Sequence, residues 1–546
     1  MDIDRVAVNL PANALPRRWR VGLAMVPVAF LVVFYAWPVA TLVGRVVRPH
    51  TIGTTLGRPD IGSILWFTIW QATVSTALTM VVGMAPAYLL ARRQFPGRRL
   101  LGALVVVPFL LPTVVVGAAF SALLPRALLG TVVAVLIAHV YFNVSVVVRL
   151  VGTLWAQIPA DLGAAARTLG AGPWQTARLV TLPLLRPALF AAATVTFLFT
   201  FTSYGVVQIL GGPRHPTLEV EIARRATQLG DVGGAAVLSL VQLVALVCIV
   251  AVSASAQRRS GVTLAANRVP AARAGSARGR IGVGFLAAAT ALFVLVPLAS
   301  LAVTSLHPGT AWSLSAWRAL FGGGEIGERP GAAMAVDAWA AIGESARTAL
   351  FATVISVAIG GLATLAIGAA QTRGRFLDVG LTLPLGTSAV TIGFGMLITF
   401  DHAPFDWRGA PWLVPLGHAL IAVPFVVRAA LPVLRARPRE WLDAAATLGA
   451  SPTRAWWEID VALLMRPLLV GAGFAAAISL GEFGATTLLS RAGHETLPLA
   501  IGRLLGRAGD LPRAEACALS LVLAAVTMVI MLAINAGSEG GDARRS

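Results

Sequence analysis

Long apolar stretches recur along almost the whole chain, and about 20 apolar residues is the length an α-helix needs to cross the hydrocarbon of a bilayer. Twelve such stretches, bounded by Arg, Pro or Gly clusters, lie at 21–44, 61–91, 100–124, 129–152, 187–211, 233–255, 281–305, 344–370, 376–400, 411–434, 468–490 and 514–536. Backbone N–H and C=O groups inside lipid must be satisfied within their own segment, so each stretch is expected to be helical. Composition agrees: 57% of residues are hydrophobic and 12% charged, with mean hydropathy +0.80. That balance excludes a disordered chain and argues against a water-soluble enzyme. The expected fold is an all-α integral membrane protein of about twelve transmembrane helices, with the lipid bilayer as its solvent.

An even number of spans puts both ends on one side, and the distribution of Arg says which. The segments on the N-terminal side, counted with helix-end residues such as Arg149 and Arg428, hold 28 of the 43 basic residues and 10 of the 24 acidic ones. Their surplus of +18 marks that side as cytoplasmic by the positive-inside rule. The sequence therefore predicts a multi-pass protein of a bacterial plasma (inner) membrane, both termini cytoplasmic. Arg17, Arg18 and Arg20 precede the first stretch, which is longer than a signal-peptide core and reads as a retained helix. Every basic residue is Arg. The phosphate-gripping loop G-x-x-x-x-G-K-[ST] needs a Lys, so this chain lacks that loop in its standard form, and any ATP hydrolysis would fall to a partner. Arg scattered between apolar runs gives no nucleic-acid face. Cys248 and Cys517 alone provide neither a disulfide framework nor a thiolate metal cluster.

The polar run 256–280 carries six Arg and no acid and reads as a cytoplasmic linker between a first repeat, 1–255, and a second, 281–546. Sliding one half by 279 positions superposes His139 on His418, Val147-Val148-Arg149 on Val426-Val427-Arg428, Thr168-Leu169-Gly170 on Thr447-Leu448-Gly449, Thr217-Leu218 on Thr496-Leu497, Ile222 on Ile501 and Gly230-Asp231 on Gly509-Asp510. Six spans per half make the repeats parallel, related by an axis along the membrane normal.

The most informative duplicated segment lies between the fourth and fifth spans of each half, at 159–187 and 438–467. Each copy begins with Pro (Pro159, Pro438) and reaches Gly eleven residues later (Gly170, Gly449). Pro173 and Pro452 then restart a helix, with Ser451 as N-cap in the second copy. Two short helices joined at a Gly bend are expected. The Ala runs 164–166 and 444–446 leave one face nearly bare, suited either to close approach of a partner or to packing on neighbouring spans. Duplication on the cytoplasmic side favours docking.

These segments resemble the coupling loop E-A-A-x-x-x-G-x(9)-I-x-L-P of membrane subunits of binding-protein-dependent (type I) ABC importers. The first copy matches at Ala165, Ala166, Gly170, Val180, Leu182 and Pro183, with Ala164 at the Glu position. The second matches at Asp443 (for Glu), Ala444, Ala445, Gly449 and Ile459, with Val461-Ala462 in place of Leu-Pro and one extra residue before Arg466-Pro467. FTSYGVVQILGGPRHPTLEVEI and SLGEFGATTLLSRAGHETLPLAIG look most like the thiamine and ferric-iron permeases of that family. The resemblance implies two cytoplasmic ATP-binding subunits, one per loop, an extracytoplasmic solute-binding protein, and no cofactor on this chain, ATP-Mg being held by the partners.

Inside the spans, Glu482 is costly unless paired, protonated or wetted, and intramembrane acids commonly mark a pathway. Its counterpart is Ser203; Tyr204 and Phe483 match each other. These four are candidates for the translocation path, with buried hydrogen bonding or plain packing as the alternative. His139 and His418 also belong to that set. Each lacks a nearby ligand partner, which favours hydrogen-bonded packing over a metal site. The runs 212–232 and 491–513 read as contacts for the binding protein or as solvated loops. No catalytic constellation is present. The expected function is a permease with thiamine or a related small solute as cargo. Ferric iron is the alternative cargo, and an ion-coupled secondary transporter using Glu482 is the rival from another class.

Overall fold

The computed structural model describes residues 17–46, 49–259, 272–273, 276–322, 336–369, 374–438, 440–491 and 493–539. Among them ten helices are long and apolar enough to cross a bilayer: Val21–Val46, Pro59–Arg92, Val132–Trp155, Pro173–Phe201, Val232–Ser253, Ala277–Leu306, Ala338–Ala369, Leu413–Arg435, Pro452–Gly481 and Asp510–Ile534. The third and ninth expected spans are not straight. Arg98–Leu110 and Thr113–Leu123 meet at 102°, and Phe376–Gly386 and Ala389–Thr399 at 100°. Leu111, forced toward extended backbone by Pro112, has φ −72° and ψ 139°. In the second pair Thr387 and Ser388 are extended, and the Ser388 hydroxyl accepts the Thr391 N–H to restart the helix.

The chain forms two packing units that cut across its halves. One contains residues 1–44, 343–494 and 529–546; the other contains 45–342 and 495–528. In the first unit a core of Phe30, Ile359, Ala363, Met396, Phe400 and Val423 holds the first span against helices of the second half. Tyr35 and Thr387 share a hydroxyl hydrogen bond of 2.7 Å there. Gly360 and Gly471 both face Val426: a Cβ on Gly360 would lie 2.8 Å from the Val426 Cβ, and one on Gly471 3.0 Å from its Cγ1. Small residues thus allow close approach where hydrophobic driving force between helices is absent.

The second unit repeats the device. Pro59–Arg92 lies along Val132–Trp155, and a Cβ on Gly83 would be 2.7 Å from the Val147 Cβ. Val147 is the residue that the 279-position shift places on Val426. Ala277–Leu306, the first span of the second half, packs in this unit, where Tyr141 donates to the Val294 carbonyl (3.1 Å) and Ser300 to the Ala119 carbonyl (3.0 Å). Each half's first span therefore packs in the unit built mainly from the other half. Most of the linker lies outside the described residues, but Ala272-Arg273 pairs in parallel with Arg93-Gln94.

Candidate functional site in the bend loops and broken spans

Both bend loops adopt the expected form. In the first copy the helix Ala160–Thr168 ends at Gly170, whose φ of +84° is accessible to Gly at little cost. Pro173–Thr176 follows. In the second, Glu440–Thr447 ends at Gly449 with φ +77°, and Pro452–Ala455 restarts with Ser451 accepting the Arg454 N–H at 3.3 Å. The Gly170 N–H is donated to Arg167 O and the Gly449 N–H to Ala446 O, closing the two bends alike. Leu169 and Leu448, immediately before the glycines, are 89% and 87% exposed. Leu162 and its counterpart Trp441, about two helical turns earlier, are exposed too. Ala165, Asp443 and Ala444 are exposed, whereas Ala166 and Ala445 are half-buried. Each loop therefore presents an apolar pair on a defined backbone, as a partner surface requires.

Each loop enters its membrane helix through a wide π-turn, Ala177–Thr181 in one copy and Trp456–Val461 in the other. That turn places Pro183 near the start of a new α-segment, where its missing N–H and bulky ring are tolerated. The extra residue expected before Arg466-Pro467 does not displace the helix. Buried Leu185, Ala192, Thr196 and Thr200 match buried Leu464, Gly471, Ala475 and Ser479, all at the shift of 279. The Arg-Pro pair has moved one place along an unchanged helix face. In the second copy, Arg437 pairs with Asp460, and burial holds its guanidinium below the usual arginine range.

At their far ends both helices break. Pro173–Phe201 stops before Thr202-Ser203-Tyr204 and resumes as Gly205–Leu210; Pro452–Gly481 stops before Glu482-Phe483 and resumes as Gly484–Leu489. The expected continuous spans 187–211 and 468–490 are thus interrupted at the four residues singled out from sequence. A partly buried Glu482 accepts the Ala485 N–H through Oε1 at 3.0 Å, satisfying a donor that the break leaves open. Tyr204 and Phe483 are buried.

His139 and His418 are buried beside these breaks with both ring nitrogens occupied. His139 Nδ1 meets Ser75 Oγ at 3.1 Å and Nε2 meets Ser203 Oγ at 2.9 Å; His418 Nδ1 meets Ser479 Oγ and Nε2 meets Thr486 Oγ1, each at 2.8 Å. Among the described residues no group of three His, Cys, Asp or Glu could hold a metal ion.

The run 212–232 holds a feature that mixed charge alone did not reveal. It contains the helix Leu218–Thr227, on which fully buried Arg225 donates to Glu221 (2.7 Å) and Asp231 (2.8 Å) and lies 3.6 Å from Asp60. Glu219, also buried, accepts from Gln242 at 2.7 Å. The matching helix Leu497–Leu505 buries apolar residues instead, Ala500, Ile501 and Leu504, and its one charged residue, Arg503, pairs with Glu495.

Duplicated bend loops leading into broken membrane helices describe a multi-pass membrane protein with matched halves. Residues 80–260 match the family described as binding-protein-dependent transport system inner membrane component. The chain is 29% identical over 506 residues to the thiamine transport system permease protein ThiP of Brucella abortus (strain 2308), covering 87% of this chain and 88% of that one. It is 26% identical over 482 residues to ThiP of Escherichia coli (strain K12), covering 81% and 84%. The putative 2-aminoethylphosphonate transport system permease protein PhnV of Salmonella typhimurium is 27% identical over 260 residues, 94% of its own length but 47% of this chain. Over most of its length the chain is therefore similar to permeases of binding-protein-dependent transport systems. Such permeases work with ATPase and solute-binding partners.

Proposed function

We propose that the chain is the permease of a thiamine importer, forming the translocation path and coupling it to two cytoplasmic ATPase subunits, one docked on each bend loop. The observation that carries the coupling is the matched pair of exposed leucines, Leu169 and Leu448, set beside glycines of positive φ. Thiamine is favoured because the relatives that span most of the chain are named as thiamine permeases. The hydrogen-bonded state of His139 and His418 gives ferric iron no ligands there. Closure of the ATPase subunits would push on Ala160–Thr168 and Glu440–Thr447, and the π-turns would pass that motion to the membrane helices and their breaks. Ser203, Tyr204, Glu482 and Phe483 are the groups in our reading that meet the cargo. A carboxylate at Glu482 suits a cationic thiazolium ring.

The test is to purify the permease with its ATPase and binding protein, identify the bound ligand by mass spectrometry, and measure uptake in proteoliposomes. Thiamine on the binding protein and ATP-dependent uptake are expected. Uptake that persists without the ATPase and collapses when the proton gradient is dissipated would establish the secondary-transporter reading instead.

A further inference from the structure

At the end of the spans away from the bend loops, a cavity of about 300 Å³ is lined by Ala122, Arg126, Thr304, His307, Arg513 and Asp510, with the turn at Gly309-Thr310 completing it. Arg126 precedes Val132–Trp155, whose other end leads into the first bend loop. Three distant chain segments, all in the second packing unit, therefore converge on the cavity. Two guanidinium groups face one carboxylate in it. Arg126 donates to Asp510 Oδ1 at 2.7 Å, with the Arg side chain 79% exposed. Arg513 donates to the Ser121 carbonyl, while its buried Nε has no hydrogen-bond partner among the described residues.

Asp510 is one member of the Gly-Asp pair found in both halves, and the two copies differ. Asp231, its match, is locked by buried Arg225 from a neighbouring helix. Among the described residues Asp510 is ion-paired only with an exposed Arg that can turn away at small cost.

We propose that this cavity receives a carboxylate side chain from the external solute-binding protein, which binds Arg513 and draws Arg126 from Asp510. The inference rests on the importer reading above. The excess of guanidinium repels a cationic cargo, which argues against a cargo subsite. A free small anion would gain little from one exposed ion pair, whereas a carboxylate within a large protein interface adds specificity and steers encounter.

The experiment uses the full complex in proteoliposomes and reads the binding-protein concentration that gives half-maximal ATPase stimulation, at low and high salt. Arg513→Gln should raise it about tenfold and Arg126→Gln about threefold, each with a weaker salt dependence than wild type. Asp510→Asn should lower it, because Arg126 is released. Basal ATPase and ATPase stoichiometry should not change. Because Arg126 and Asp510 are exposed, those two variants decide the matter even if Arg513→Gln fails to assemble. Half-maximal concentrations within twofold of wild type for both, or Asp510→Asn weakening the interaction as Arg126→Gln does, would overturn the proposal. Competition by free glutamate at millimolar concentration would overturn it in favour of a small-anion site. A wild-type complex that ignores the binding protein would instead remove the importer reading itself.

Discussion

Gly170 and Gly449 fix the bends that follow the helices Ala160–Thr168 and Glu440–Thr447, and replacing them isolates one physical effect. Both occupy the left-handed region, at φ +84° and +77°, and a Cβ built on either meets nothing within 4 Å. The penalty is therefore confined to the backbone. An L-residue in this conformation costs roughly 1–2 kcal/mol, and a β-branched one sits at the upper end or beyond. At 1.4 kcal/mol per factor of ten, Gly170→Val should reduce the population of the native bend about 5- to 30-fold. The helices themselves should remain folded. The two loops lie on different parts of the chain, so the penalties should add in the double variant. Reconstituted complexes should show lower uptake per ATP hydrolysed, with the permease still extracted and purified normally. Asn tolerates left-handed backbone, so Gly170→Asn should stay close to wild type. Full binding-protein-stimulated ATPase and uptake in the Val variants would refute the reasoning. Equal damage from Asn and Val would refute the backbone explanation in particular.

Gly360→Ala places a Cβ against Val426, which also touches Gly471, and should lower stability by about 1–3 kcal/mol. Val426→Ala should relieve part of it, as a less-than-additive double variant in detergent unfolding would reveal. His418→Ala leaves the buried Ser479 and Thr486 hydroxyls without their ring partner, for about 1–3 kcal/mol; a melting temperature unchanged from wild type would contradict it. Glu482→Gln keeps an acceptor for the Ala485 N–H while removing charge, so uptake should fall with assembly intact. Unchanged uptake kinetics would take Glu482 out of the path.

Features written in local residue chemistry are legible in the order of the amino acids. Gly170, Gly449 and the Ser451 cap need only their neighbours, and the repeat announces itself through His139/His418 and Val147/Val426. The bends at Leu111 and Thr387 are not legible in a hydropathy window, which averages over a kink as readily as over a straight helix. Pro112 is the available signal. The π-turns are hidden for another reason: a wide turn changes hydrogen bonding and leaves hydrophobicity untouched. The burial of Arg225 is invisible because, although Glu221 and Asp231 are its neighbours in sequence, Asp60 comes from a distant helix that only folding brings to it. The same holds for the exchange of first spans, since sequence order says which segments are consecutive and not which ones pack.

The matched burial of Leu185/Leu464, Thr196/Ala475 and Thr200/Ser479 places the chemical asymmetry of the halves in side chains and leaves the backbone register common to both. Around that shared frame the histidine changes partners. His139 spends one nitrogen on Ser203 within the break, whereas His418 reaches Ser479 one turn before its break and Thr486 just after it. The position left over in the second half is Glu482. Its carboxylate serves the local backbone and is not tied to the buried histidine as Ser203 is. The second half thereby carries one acidic group at the matched sequence position without disturbing the hydrogen bonds that hold either break together. The first half supplies a neutral hydroxyl bonded to its histidine, the second a carboxylate bonded to backbone N–H groups of its own break. If the breaks meet a cationic cargo as proposed, that difference would give the two halves unequal shares of recognition, although the bend loops share one backbone design.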